Sequence, residues 1–235
     1  FLVPAGLIAL WRSHGRLVIW PAAILLLHPI GVALLAPYRG PAFQEGRYST
    51  HLAPLAIVVA VIGLWRLVGR WQRRGRWAAA VFVLLAVVSL WPASLRYGGA
   101  VREINAMQVH LGRWVERNLP REARLGLNDV GAIAYFSRRE VVDLMGLVTP
   151  EIIPYRRGGE AGVLRFLERQ CPDYLIIFPA WFPGLSAMAD RFKPIYRVKL
   201  DQTRVAGADT MVVYETVWNR WSPSPKACPS LQEGV

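Results

Sequence analysis

The sequence predicts a membrane α-helical bundle, with about three full spans plus a truncated one, followed by a small external α/β domain. Two features predict this architecture. Long uncharged apolar runs fill the first 95 residues, and after residue 95 short hydrophobic segments alternate with helical ones. We therefore expect transmembrane helices in residues 1–95, an external α/β domain in residues 96–218 and a disordered tail in residues 219–235.

The apolar runs are long enough to cross a bilayer. Residues 17–38, 48–65 and 77–95 contain no charged side chain. An apolar helix of about 18 or more residues matches the roughly 30 Å hydrocarbon core at 1.5 Å rise per residue. Residues 1–11 have the composition of a fourth span, and the chain opens at Phe1 without a basic segment. We expect the C-terminal part of a longer multi-pass protein rather than a signal peptide.

The distribution of charge predicts an orientation in the membrane. Residues 1–95 carry nine arginines against one acid, a net charge of +8, whereas residues 96–235 carry 19 basic and 15 acidic side chains, a net charge of +4. Five of the arginines lie in residues 66–76, a predicted loop between spans that the positive-inside rule places in the cytoplasm. Residues 38–50 and the α/β domain then lie outside. Because the excess charge is concentrated in short loops, the pI of about 10.5 does not indicate a nucleic-acid partner.

The external domain shows alternating strand and helix patterns. Residues 101–115 form an amphipathic helix that Pro120 stops. Strands predicted at 124–128, 141–146 and 173–179 alternate with helices at 129–137, 160–170 and 184–192, which is typical of a partly parallel sheet in an α/β layer. Residues 195–200 and 209–217 predict an antiparallel hairpin at the edge of the sheet.

Motifs for nucleotide, metal or serine-nucleophile chemistry are absent from the sequence. The four histidines are scattered without a second ligand at metal spacing, so we expect no metal and no cofactor. Asp129, Asp143 and Glu151 are candidate acids for proton transfer, although Asp129 also fits a helix N-cap. A disulfide between Cys171 and Cys228 is chemically possible in an oxidising compartment, and the sequence leaves the pairing open.

One stretch resembles a known family. Residues 125–152, LGLNDVGAIAYFSRREVVDLMGLVTPEI, are similar to the opening of the external C-terminal domain of bacterial GT-C superfamily membrane glycosyltransferases. These enzymes include the protein O-mannosyltransferases and the transferase that adds aminoarabinose to lipid A. An Arg-Tyr pair before a late span, here Arg47 and Tyr48, is also similar. The resemblance covers about residues 38–215 and points to a broad group rather than to one sugar.

The resemblance implies sugar transfer from a polyprenyl-phosphate donor to an envelope glycan, lipid or protein acceptor, on the outer side of the bacterial cytoplasmic membrane. The family's catalytic carboxylate lies in the first external loop, which this chain does not contain, and Glu45 is the one acid before residue 96. Membrane lipids are further expected partners. The candidate residues for binding donor phosphate or sugar are Arg47, Tyr48, Glu45 and His51, with Arg39 and Asp129 as secondary candidates.

Other interpretations stay open. Arg47 also fits an interfacial anchor that reaches to lipid phosphate, and Tyr48 fits the aromatic belt of a membrane protein. The whole chain also fits a membrane-anchored α/β binding domain without catalysis. A third interpretation is a transporter fragment in which His28 lines a pathway, although His28 equally fits a histidine bonded to a neighbouring helix.

Overall fold

The chain divides into two compact units, Phe1–Ser94 and Leu95–Val235. The structure is a computed structural model that describes residues 2–35 and 49–218. The predicted tail, residues 219–235 with Cys228, lies outside the described residues. The same holds for residues 36–48, which include Arg39, Glu45, Arg47 and Tyr48.

Long apolar helices make up the first unit. Helix α1 covers Leu2–His14 and continues through a 3-10 turn, Gly15–Val18, into α2, Ile19–Leu35. Helix α3 covers Ala53–Ile104. Within residues 2–35 and 49–218, three stretches are long and apolar enough to cross a membrane, namely Leu2–Leu35, Ser49–Arg66 and Gly75–Asn118. The sequence-based expectation of membrane-type helices is confirmed at this level.

Helix α3 corrects one sequence prediction. Residues 66–76 were expected to form a loop, but α3 runs through them and reaches 52 residues. Arginine, leucine and glutamine are good helix formers, and the basic segment contains no proline. Its two glycines cost only about 1 kcal/mol each in a helix interior, so no residue ends the helix there.

Two glycines bring α1 close to the first part of α3. A Cβ atom on Gly6 would overlap the carbonyl oxygen of Val59, and one on Gly63 would overlap the carbonyl oxygen of Leu2. The two backbones therefore approach as closely as small residues allow. Such contacts are typical of helices that pack within a bilayer, where apolar burial gives no driving force for association.

The second unit contains a five-stranded mixed sheet. Its strands are β1 (Arg124–Leu127), β2 (Glu140–Asp143), β3 (Tyr174–Ile177), β4 (Phe192–Lys199) and β5 (Thr210–Thr216). The order across the sheet is β2-β1-β3-β5-β4, in which the first three strands are parallel and β5 is antiparallel to both neighbours. The predicted partly parallel sheet with an antiparallel edge hairpin is confirmed.

Helices cover both faces of this sheet. A π-helical turn, Asn105–Val109, links α3 to α4 (His110–Asn118), and the later helices are α5 (Gly131–Ser137), α6 (Ile153–Arg156), α7 (Gly159–Gln170) and α8 (Pro183–Ser186). Two buried apolar clusters result, one under α4 and α5 and one under α7 and α8. Alternate residues of β3 serve the two clusters, because successive side chains of a strand point to opposite faces. The unit thus has its own core.

Candidate functional site

The carboxyl ends of the three parallel strands meet at one edge of the sheet, which we call the carboxyl edge. After β1 the chain turns to β2 on one side, whereas β3 has β5 as its other neighbour. In α/β sheets, ligands bind outside the carboxyl ends of strands, at the point where the connections diverge. The candidate site therefore lies between the ends of β1 and β3.

Asn128 connects these two strand ends. It follows β1 directly and is buried, and its Oδ1 accepts a hydrogen bond of 3.3 Å from the backbone N–H of Phe178, which follows β3. Its Nδ2 is also buried, and that atom has no hydrogen-bond partner among the described residues. Since buried polar atoms are normally satisfied, Asn128 leaves one hydrogen-bond donor unused at the carboxyl edge.

Asp129 bonds to the helix that covers the edge. Its Oδ2 accepts a 3.0 Å hydrogen bond from Nε2 of Gln108, which lies in the π-helical turn before α4. The N-cap interpretation of Asp129 is wrong, because Val130 occupies the N-cap of α5 and no side chain caps that helix. Oε1 of Gln108 is buried without a partner in the described part of the chain. Gln108 thus has an unused buried acceptor, as Asn128 has an unused buried donor group.

Asp143, the third acid of the resembling stretch, holds a loop together. It ends β2 and is fully buried. Its carboxylate accepts hydrogen bonds from the backbone N–H groups of Met145, Leu147 and Val148, and its own N–H donates to Oγ1 of Thr149. A carboxylate enclosed in this way has no face left for a substrate. Glu151, by contrast, is exposed in the short 3-10 helix that follows.

Large exposed side chains also follow the parallel strands in the sequence. They come from the segments that follow the three parallel strands: Tyr135, Leu147, Val148 and Trp181. Leu147 is 79% exposed and Tyr135 is 76% exposed. The carboxyl edge thus combines amide donors and acceptors with an apolar rim. This arrangement suits binding of an amphipathic molecule better than proton transfer.

The structure describes some of the candidate residues in the membrane half and not others. Glu45, Arg47, Tyr48 and Arg39 lie outside the described residues. His51 is exposed, and its ring meets that of His28 edge-on, with centroids 4.5 Å apart. Nδ1 of His28 is buried without a hydrogen-bond partner in residues 2–35 and 49–218. The fold thus brings together two histidines that the sequence did not predict to be in contact.

Sequence reasoning missed Glu103. This residue is 8% exposed, and its Oε2 accepts hydrogen bonds from the backbone N–H groups of Arg204 and Val205 at 2.7 and 3.0 Å. A signal existed in the sequence, because Glu103 and Gln108 both fall within the amphipathic helix predicted around residues 101–115. A polar residue buried on such a helix needs a partner, but the sequence does not say which one.

Tyr174 has a perturbed pKa but lies elsewhere. Burial raises the pKa of its hydroxyl, and the nearby carboxylates of Glu215 and Asp173 raise it further. The residue opens β3, so it lies at the amino end of the strand rather than at the carboxyl edge. Its perturbation does not mark the candidate site.

Comparison with known proteins assigns the second unit to a family. Residues 100–221 match the family described as "Domain of unknown function (DUF8728)", and this match covers more than half of the chain. The chain belongs to the DUF8728 family. No curated protein and no solved structure matches it. The DUF8728 region contains Glu103, Gln108 and the whole sheet, so the candidate site lies inside the family domain.

Proposed function

We propose that this DUF8728 protein is the C-terminal part of an integral membrane glycosyltransferase. The enzyme moves a sugar from a polyprenyl-phosphate donor to an acceptor in the bacterial envelope, with the α/β domain on the outer face of the cytoplasmic membrane. The observation that carries the proposal is the stretch 125–152, which resembles the GT-C external domain and forms the edge of an α/β sheet. Apolar helices precede this domain in the chain, as a lipid-linked donor requires.

The proposed donor site is centred on Arg47. A guanidinium at the outer headgroup level binds a phosphate through two parallel hydrogen bonds and stabilises its charge as the sugar leaves. Tyr48 stacks on the sugar, and Glu45 and His51 lie beside it in the sequence, with Arg39 and Asp129 as secondary contacts. The catalytic carboxylate comes from an earlier external loop of the longer protein.

A second function has its own support. Asp143 is enclosed by backbone N–H groups and Asp129 is bonded to Gln108, so the two acids at the carboxyl edge have structural partners. An edge built from amides and exposed apolar side chains fits a non-catalytic domain that binds an envelope molecule. A transporter fragment would instead rely on the contact between His28 and His51.

The transferase proposal is tested by Arg47→Lys in the longer protein. Lysine keeps the charge but loses the planar fork of the guanidinium. Losing a charge-assisted contact of about 1.5–3 kcal/mol lowers turnover about 10- to 150-fold. The measurement is sugar transfer in vitro from a synthetic polyprenyl-phosphate donor, at matched protein levels.

Arg66→Lys is the matched control, since it makes the same change at the start of the basic segment and is expected to leave transfer unchanged. Equal, near wild-type transfer by both variants would assign Arg47 to lipid anchoring, because lysine reaches lipid phosphate as well as arginine does. If the unaltered longer protein transfers no sugar from any polyprenyl-phosphate donor, the non-catalytic function takes precedence.

A further inference from the structure

The helix before the sheet shows which way the carboxyl edge faces. Gln108 bonds to Asp129 at the carboxyl end of β1. At the other end of the helix, the carbonyls of Glu116 and Leu119 accept hydrogen bonds from the guanidinium of Arg139, which directly precedes β2. The helix therefore runs from the carboxyl edge to the amino edge of the sheet. Followed backwards from Gln108, it extends beyond the carboxyl edge.

The β4–β5 loop, residues 200–209, lies against this extension. Strand β5 is antiparallel to β3, with Val212 opposite Ile177, so the loop also belongs to the carboxyl edge. The carboxylate of Glu103 holds the backbone of Arg204 and Val205. The Arg204 guanidinium comes within 3.3 Å of where a Cβ atom on Gly99 would be. The loop tip thus reaches the level of Gly99 on the helix.

Gly99 lies close to the end of an apolar span. The uncharged run 77–95 ends four residues earlier, which at 1.5 Å per residue is about 6 Å along the helix. Headgroup layers add about 5–8 Å on each side of the hydrocarbon core. If the apolar run fills the core, position 99 of the helix, which the Arg204 side chain reaches, falls within the headgroup layer.

The side chains at this level are those of an interfacial surface. Arg204 is exposed, Val205 is 38% exposed, and Tyr97 is exposed on the helix two residues before Gly99. The indole N–H of Trp181 donates to the carbonyl of Gly207 at 3.0 Å, which leaves its apolar rings partly exposed next to the loop. Arginine, tryptophan and tyrosine are the side chains that membrane proteins place among headgroups.

We propose that the β4–β5 loop docks onto the phospholipid headgroups of the leaflet from which α3 emerges, with Arg204 bound to lipid phosphate and Val205 set between headgroups. Glu103 is a positioning residue that fixes the loop at this depth. Arg96 and Arg102 add positive charge on the helix, against Asp201 and Asp209 in the loop. This inference rests on the membrane part of the proposed function and is independent of sugar transfer.

Lipid spin-label quenching tests the contact on the complete chain in nanodiscs. An environment-sensitive dye is attached to Val205→Cys and, as the matched control, to Ile195→Cys. Ile195 is 37% exposed and lies in β4, away from the loop. Lipids with a nitroxide on the headgroup should quench the dye at position 205 more strongly than at position 195. Equal quenching at the two positions would overturn the proposal.

A dye at Val87→Cys, inside the span, separates this inference from its premise. Quenching by acyl-chain nitroxides at position 87, without headgroup quenching at 205, would reject the loop contact alone. No quenching at 87 would reject the membrane span itself. A dye at 205 whose emission depends on protein concentration, without lipid quenching, would assign the loop to a second copy of the chain and also overturn the proposal.

Two further variants, each carrying the dye at 205, test the roles of single residues. In nanodiscs with anionic lipid, Arg204→Gln should weaken docking about fivefold, the equivalent of about 1 kcal/mol for one basic residue at the surface. Glu103→Gln should reduce quenching in anionic and neutral lipid alike, because it releases the loop rather than a charge contact. Unchanged quenching in both variants would contradict the assigned roles.

Discussion

Asp143 shows at the residue scale how a motif residue can be structural. Its position in a family-like phrase made it a candidate acid, yet its carboxylate binds three backbone N–H groups of the loop that follows β2. Without the carboxylate, these N–H groups would lose the shared acceptor that holds the loop in its conformation. The loop carries Leu147 and Val148 at the rim of the carboxyl edge, so Asp143 shapes the candidate site indirectly.

Asp143→Asn should destabilise this region. The amide replaces one acceptor oxygen with a donor, which then faces a backbone N–H in a buried position, at a cost of about 1–3 kcal/mol. Hydrogen exchange of β2 and the following loop, measured by mass spectrometry on the complete chain, reports the change. Asp190→Asn, an exposed position, is the control. Equal protection in the two variants would show that the carboxylate is not needed to hold the loop.

The sequence does not identify the hydrogen-bond partners of the buried polar residues. Gln108 stands at an amphipathic-helix position where a hydrophobic residue is usual, which indicates a hydrogen bond in the interior. Its partner, Asp129, lies 21 positions away, and Arg204 lies 101 positions from Glu103. Such pairings depend on how helices and strands stack, which local patterns do not contain. The N-cap assigned to Asp129 failed for the same reason, because a tertiary bond to Gln108 takes up the carboxylate.

At the scale of elements, hydrophobic periodicity correctly predicted the short strands and the helices that have clear ends. Strand β3 was predicted at residues 173–179 and α7 at residues 160–170, and both form as expected. The helix predicted at 184–192 is shorter, because turns follow Ser186 and Phe192 opens β4. The prediction for α3 was wrong in the opposite direction, because the charged segment 66–76 was expected to be a loop although its residues favour helix.

Helices α6 and α7 depend on one glycine. Gly162 lies in α7, and a Cβ atom there would overlap the carbonyl oxygen of Tyr155 in α6. Gly162→Ala should therefore destabilise the α6–α7 pair by about 1–3 kcal/mol through overpacking. Faster hydrogen exchange in α7 would report the loss.

Gly131→Ala is the control for this substitution, because nothing lies within 4 Å of the added Cβ atom at the start of α5. Intrinsic helix propensity favours alanine over glycine by about 1 kcal/mol inside a helix. Without the close contact, Gly162→Ala would thus stabilise α7, so the sign of the change in stability shows whether the contact exists. Slower exchange in α7 of the Gly162→Ala variant would contradict the packing.

At the scale of the whole molecule, helix α3 raises the question of topology. Its 52 residues measure about 78 Å, more than twice the roughly 30 Å hydrocarbon core. Two apolar stretches, Ser49–Arg66 and the part of Gly75–Asn118 up to residue 95, lie on either side of the basic segment 66–76. Large apolar side chains from Val81 to Leu95 are exposed. Exposing this much apolar surface to water is energetically unfavourable. Both stretches can enter one bilayer only if the helix is interrupted within the basic segment, whereas the structure has a continuous helix there, so the two arrangements predict different topologies.

The positive-inside rule predicts residues 66–76 in the cytoplasm and the α/β domain on the opposite side, with α3 interrupted between them. Gly69→Cys, an exposed position with open space around its Cβ atom, should resist an impermeant thiol reagent in intact cells and react after permeabilisation. Glu122→Cys, in an exposed turn before β1, should react in intact cells. The unaltered chain gives the background labelling. Reaction at both positions would mean that only Ser49–Arg66 crosses and α3 stays unbroken, whereas reaction at Gly69 alone would reverse the orientation and exclude donor binding from the outer leaflet.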